Sequence, residues 1–140
     1  GFEQLTFLGE GPHECYPDRR ASGIVGRYET NVSDTYVPYV MPQEHGHHTA
    51  VRWLELGNGH TTVRVAATDD TAFGAGATHL PAEALESCLH VSDLKPTAET
   101  WLTLDAAMRG LGTASCGPDT FEPYRVGPGT YKLDLKMSVK

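Results

Sequence analysis

The ten residues that close the chain alternate without a break. Tyr131, Leu133, Leu135, Met137 and Val139 are apolar, while Lys132, Asp134, Lys136, Ser138 and Lys140 are polar. Period two is the mark of a β-strand with one dry and one wet face, because successive side chains of a strand point to opposite sides. Such a strand needs a packed layer on one side and solvent on the other, the usual condition of an antiparallel sheet. Gly127-Pro128-Gly129 just before it is a turn by composition.

The same signature recurs upstream. Val51-Arg52-Trp53-Leu54-Glu55-Leu56 reads as one strand, stopped by Gly57-Asn58-Gly59, and His60-Thr61-Thr62-Val63-Arg64-Val65-Ala66 resumes it as a hairpin. Glu99-Thr100-Trp101-Leu102-Thr103-Leu104 is a further strand, residues 5–8 and 24–28 two more, and the small residues 72–77 suit an edge strand. One short helix is expected near 81–89, where Pro81 suits the first helical position and Leu85 and Leu89 share a face. Fifteen Gly and nine Pro punctuate these short segments, so the fold class is all-β, an antiparallel β-sandwich. No repeat or linker divides the 140 residues, and 1–140 is expected to be a single domain. Trp53 and Trp101 lie inside strand patterns and are expected in the core.

Lys and Arg number 11 against 18 Asp and Glu, a formal charge of −7. A surface of that sign repels phosphate backbones, so nucleic acid is not an expected partner. No apolar run approaches the roughly 20 residues of a membrane helix, and no membrane partner is expected. The opening Gly1-Phe2-Glu3-Gln4-Leu5-Thr6-Phe7 is already strand-like and lacks the basic-then-apolar pattern of a signal peptide, as if cut from inside a longer chain. Cys15, Cys88 and Cys116 are odd in number and lack CxxC spacing. That argues against a disulfide scaffold and for a reducing, cytoplasmic setting, with the thiols buried and inert.

Several groups invite a chemical reading. His45-Gly46-His47-His48 could in principle gather zinc or nickel, but no Cys is near and Glu44 is a neighbour only in sequence. No metal site is expected there. Residues 42–48 read instead as a structural loop, with Glu44 accepting backbone N–H groups that a loop leaves unpaired. Asp69-Asp70, and Glu14 with Asp18, are carboxylates of the type that retaining glycosidases set about 5 Å apart across a sugar. Proximity in sequence does not supply that geometry, so they are expected to be solvated turn residues or hydrogen-bond acceptors, and no catalytic residue is assigned. Asn31-Val32-Ser33 matches a glycosylation triplet that arises often by chance. Gly110-Leu111-Gly112 is a tight turn without the third glycine or the strand–turn–helix setting of a dinucleotide site.

Three longer stretches carry a resemblance. Phe7-Leu8-Gly9-Glu10-Gly11-Pro12-His13-Glu14-Cys15-Tyr16-Pro17-Asp18-Arg19 resembles the F/W-x-G-x-G-P-x-E-N-Y-P-D-R segment of the β-galactosidases of glycoside hydrolase family 2. Tyr36-Val37-Pro38-Tyr39-Val40-Met41-Pro42-Gln43-Glu44-His45-Gly46-His47-His48-Thr49-Ala50-Val51-Arg52-Trp53 is similar to that family's Y-x-x-P-Q-E-N-G-x-x-T-x-V-R-W stretch. Met108-Arg109-Gly110-Leu111-Gly112, then Ser115-Cys116-Gly117-Pro118, sits where members carry a Met- and Gly-rich turn and a short substrate-facing segment. Order and spacing agree along essentially the whole chain.

The resemblance implies the second half of a galactose-mutarotase-like supersandwich, the family's last or small-chain domain. It implies a parent that is a retaining hydrolase releasing terminal non-reducing β-D-galactose. The parent's catalytic glutamates belong to an earlier barrel domain, so this segment alone is expected to be inactive. The last domain helps close the active-site pocket, and the matching substrate-binding positions are Arg109, Ser115 and Cys116. Cys116 replaces the family's Trp, while Cys15 and His45 stand where Asn is usual, which opens the question of which galactoside is preferred. No cofactor is implied in this segment; the family often holds magnesium and sodium in other domains. Implied partners are a β-galactoside or other carbohydrate, the remainder of the enzyme chain, and further copies in a homo-oligomer. The competing reading is a free-standing carbohydrate-binding or mutarotase-like sandwich. Mutarotase chemistry would need a His acid and a carboxylate base in one cleft, and no spacing identifies such a pair.

Overall fold

One row of apolar side chains, Tyr28, Phe7, Leu54, Val65 and Met137, crosses five antiparallel strands in register. The computed structural model describes residues 1–112 and 117–140. Its strands are β1 (Gln4–Gly11), β2 (Ile24–Asn31), β3 (His48–Val51), β4 (Trp53–Gly57), β5 (Thr62–Ala67), β6 (Phe73–Thr78), β7 (Trp101–Asp105) and β8 (Leu135–Val139). They form a large sheet in the order β2-β1-β4-β5-β8 and a small one in the order β3-β6-β7, with every ladder antiparallel. Leu5, Phe7, Leu54, Leu56 and Val65 of the large sheet meet Val51, Phe73, Ala75 and Ala77 of the small one. Full burial of each large side chain in this layer contributes roughly 1.5–3 kcal/mol. The antiparallel sandwich expected from the alternation is the observed fold.

The stretch from Val51 to Leu56, read above as one strand, is two strands in different sheets. Val51 and Leu54 both belong to the core, and an unbroken strand would point residues three apart to opposite faces. The chain resolves this at Arg52, a bend between β3 and β4; within β3, Ala50 has a left-handed φ of 54° beside a register slip between His48 and Val51. It leaves the small sheet at Val51 and joins the large one at Trp53.

Other elements depart from the local patterns. The segment expected as an edge is β6, the centre of the small sheet. Helix α1 runs only over Ala82–Ser87, and Pro81 is its N-cap rather than its first helical residue. Leu85 is buried but Leu89 is exposed, so the pair forms no stripe. Neither Trp is core. Trp53 lies on the outer face of β4 with the Arg64 guanidinium 4.3 Å over its ring, and Trp101 is exposed, its indole N–H donating to the Thr97 hydroxyl at 3.3 Å. Only half of the terminal alternation pairs as β8. Leu135, Met137 and Val139 do continue the core face beside Ala67, Val65 and Val63, yet Met137 and Val139 remain 60% and 66% exposed. The three-stranded layer is too narrow to cover them.

Candidate functional site

The segment that leaves β1, residues 12–19, folds against residues 36–47 through groups with fixed partners. The buried Glu14 carboxylate accepts the Gly46 N–H at 2.9 Å and the Tyr39 hydroxyl, with the Arg19 guanidinium 3.9 Å away. Gly46 has φ of 70°, and a Cβ there would stand 2.7 Å from the Thr35 carbonyl oxygen, so only glycine fits this anchor. The Cys15 N–H donates to the His47 carbonyl at 2.7 Å, and His47 Nδ1 pairs with the Cys15 carbonyl at 2.9 Å. The His47 ring also stacks on Tyr16, with centroids 5.1 Å apart. Its Nε2 lies 3.6 Å from Asp105 Oδ2, and neither of these buried atoms has a hydrogen-bond partner among the described residues.

The other imidazoles point elsewhere. His45 engages the Gln43 carbonyl at 3.0 Å and the Thr78 hydroxyl at 3.2 Å. His48 engages the Glu10 carbonyl at 3.1 Å and packs on Phe7. Burial lowers the His48 pKa to about 4, which keeps the ring neutral. Among the described residues no group of three or more His, Cys, Asp or Glu could hold a metal ion. Burial, then the charges of Glu44 and Glu14, push the Tyr16 phenol far above its ordinary value. Burial and the bond to Glu14 do the same for Tyr39. Both hydroxyls therefore stay protonated donors. The Tyr16 hydroxyl donates to Glu44 at 3.3 Å, and burial raises the Glu44 carboxyl despite His47 and this bond.

A second anchor lies at Asp18. Its Oδ1 accepts the Leu111 N–H at 2.9 Å, and its Oδ2 accepts the Gly112 N–H at 2.8 Å and the Thr120 hydroxyl at 3.3 Å. Burial pushes this carboxyl up, but the Gly112 and Leu111 N–H groups outweigh it and hold it below the usual carboxylate range. Gly110 donates to the Tyr124 carbonyl at 2.7 Å, and Arg109 pairs with Asp119. The turn so fixed walls an open cleft of about 310 Å³ with Tyr16, Gln43, Glu44, Met108 and Arg109 among its lining.

Of the expected substrate-binding residues, Arg109 thus lies at this cleft, while Ser115 and Cys116 fall outside the described residues. Glu14 and Asp18 form no glycosidase-like pair; each anchors a different segment. Asp69 accepts the Thr71 N–H at 2.9 Å in an exposed turn, as expected of a turn residue. One expectation needs correction: the carboxylate that takes a loop N–H is Glu14, and Glu44 takes the Tyr16 hydroxyl instead. Cys15 is a buried thiol with its pKa pushed up by burial, while Cys88 is half-buried. The sequence patterns do not single out Tyr16, Tyr39 or Asp105. Tyr16 and Tyr39 both stand in the quoted family-like stretches, which could have marked them; nothing local marks Asp105.

Residues 1–137 match the family model described as the β-galactosidase small chain. The chain is 34% identical over 136 residues to a β-galactosidase of Arthrobacter sp. (strain B7), covering 94% of this chain and 13% of that protein. It is 33% identical over 125 residues to a β-galactosidase of Staphylococcus xylosus, covering 89% and 12%. With a β-galactosidase of Streptococcus thermophilus the identity is 34% over 121 residues, covering 86% and 11%. The chain therefore spans only about an eighth of the length of these curated relatives. Among the described residues, no helix is long and apolar enough to cross a membrane.

Proposed function

The chain belongs to the β-galactosidase small-chain family, and we propose that residues 1–140 act as a single non-catalytic domain segment of a retaining β-galactosidase. In this reading the parent removes terminal β-D-galactose in the cytoplasm, and this segment helps to close its active-site pocket and to stabilise it. The observation that carries the reading is the turn at residues 108–112, bound through Asp18 to residues 12–19 and walling an open cleft with Arg109 on its lining. Ser115 and Cys116 follow that turn in sequence and, with Arg109, are the proposed contacts to substrate. These carboxylates supply no acid–base pair here: Glu14 and Asp18 are already occupied by donors from their own chain. The remainder of the enzyme chain is the proposed partner, and the 140-residue segment alone should turn over a chromogenic β-galactoside only at background rate.

Cys116 tests the pocket-facing role. A Trp presents a large flat face to a sugar, whereas Cys makes a small contact, a difference of roughly 0.5–1.5 kcal/mol by analogy with aromatic pairs. Cys116→Trp in the full-length enzyme should therefore raise kcat/KM for lactose relative to a bulkier galactoside by about 2- to 12-fold. An unchanged ratio would remove Cys116 from the pocket.

A further inference from the structure

The Asp18 carboxylate is the point at which three separate parts of the chain meet. Its two oxygens divide the donors between them: one takes Leu111, the other takes Gly112 and the Thr120 hydroxyl. The same group thus holds both described shoulders of the segment between 112 and 120, while Arg109 and Asp119 pair across it. Space is shaped to match. A Cβ at 110 would lie 2.6 Å from the Asp18 carboxylate, and one at 112 would lie 2.9 Å from Oδ2 and 3.0 Å from the Thr120 hydroxyl. Both glycines are therefore needed for backbone donors to reach a carboxylate this closely.

We infer that Asp18 is a positioning residue for the cleft, setting the placement of residues 108–112 and so the strength with which the enzyme holds its galactoside. The inference rests on the proposed role of this segment at the pocket. Asp18 itself does not line the cleft; it acts through the Leu111 and Gly112 amides behind the wall. A carboxylate suits this task because it is acceptor-only at both oxygens and makes charge-assisted bonds to N–H groups. Asparagine has the same shape but replaces one acceptor with a donor, which would face a backbone N–H with no bond to make. Asp18→Asn therefore separates the hydrogen bonding from the packing.

The experiment uses the full-length enzyme carrying Asp18→Asn, and separately Gly112→Ala, which disturbs the same contact from the opposite side. Two readouts are taken: steady-state kinetics on lactose, and amide exchange at Leu111 and Gly112 with Leu54 and Leu56 as the internal reference. The expected result is a KM raised about 3- to 30-fold with a smaller change in kcat, the pattern of lost substrate positioning. Exchange at 111 and 112 should quicken at least about tenfold while the β4 amides keep their rates. Unchanged exchange overturns the clamp, and quickened exchange with an unchanged KM overturns its effect on the cleft. If Cys116→Trp shifts galactoside preference while Asp18→Asn leaves KM alone, only the positioning role falls; if neither has an effect, the pocket reading falls with it. Should Asp18→Asn give no folded enzyme, Gly112→Ala decides by the same two readouts.

Discussion

The His47 imidazole lies against Gly74, so close that a Cβ at position 74 would sit 2.4 Å from Nε2 and 2.8 Å from Cε1. Gly74 pairs with Asp105 across the β6–β7 ladder, so the ring covers the outer face of the small sheet where one side chain is missing. Contact with Tyr16 on one side and Gly74 on the other clamps residues 42–48 between the first loop and the sheet.

Gly74→Ala should therefore displace the imidazole and cost about 2–4 kcal/mol, the scale of overpacking combined with a lost buried hydrogen bond. Urea denaturation measures it. The cost should shrink when His47→Ala is added, since the truncated ring leaves room for the new methyl. A Gly74→Ala change within about 0.5 kcal/mol of wild type would show that the ring is free to move.

Acid should weaken the fold through His48. Its pKa is about 4 in the folded chain, where burial opposes the charge, against roughly 6.5 when unfolded. The folded value is the lower one, so between these limits the unfolded chain binds the extra proton. Stability is then complete above about pH 6.5, falls as pH drops, and levels off near 4, a loss of roughly 3 kcal/mol from this group. Asp18 and Glu10, whose carboxyls are held low, add their losses at the acid end of that range and below. His48→Gln should flatten the slope between pH 6.5 and 4.5; an identical slope in the variant would place the titration elsewhere.

Zinc or nickel should leave the melting temperature nearly unchanged. The rings of His45, His47 and His48 are each fixed through Nδ1 to a different backbone carbonyl, His45 Nε2 meets the Thr78 hydroxyl while His47 Nε2 faces Asp105, and among the described residues no group of three or more His, Cys, Asp or Glu converges on one point. Thermal denaturation with and without metal checks this. Stabilisation by several degrees that disappears in His47→Ala/His48→Ala would reverse the assignment.

The uncovered end of the large sheet should recruit a partner. Met137 and Val139 lie on the same face as Val65 and Val63 but are mostly exposed, an apolar strip on an edge strand. In sedimentation velocity the 140-residue chain should self-associate, or bind the preceding segment of the enzyme supplied in trans. Met137→Lys/Val139→Lys should abolish either association. A species that stays monomeric at high concentration with no affinity for that segment would count against the half-sandwich reading.

Period-two alternation placed most strands and the β4–β5 hairpin correctly, because the face a side chain takes in a strand depends only on its immediate neighbours. The motif stretches around Glu14, Glu44 and Met108 likewise indicated the family. Which face was dry was a different matter. Tyr131 and Leu133 continue the alternation of β8 but lie outside its ladder, and Trp53 and Trp101 have core-like chemistry on outer faces. Sheet membership also escaped local reading: the break between β3 and β4 exists because Val51 and Leu54 must both face inward once two layers are stacked. The anchors were hidden for the same reason. Asp18 meets Leu111 across 93 positions, and Glu14 meets Gly46 across 32. A carboxylate's role is set by the donors that reach it, and only the folded chain brings those donors within hydrogen-bond distance.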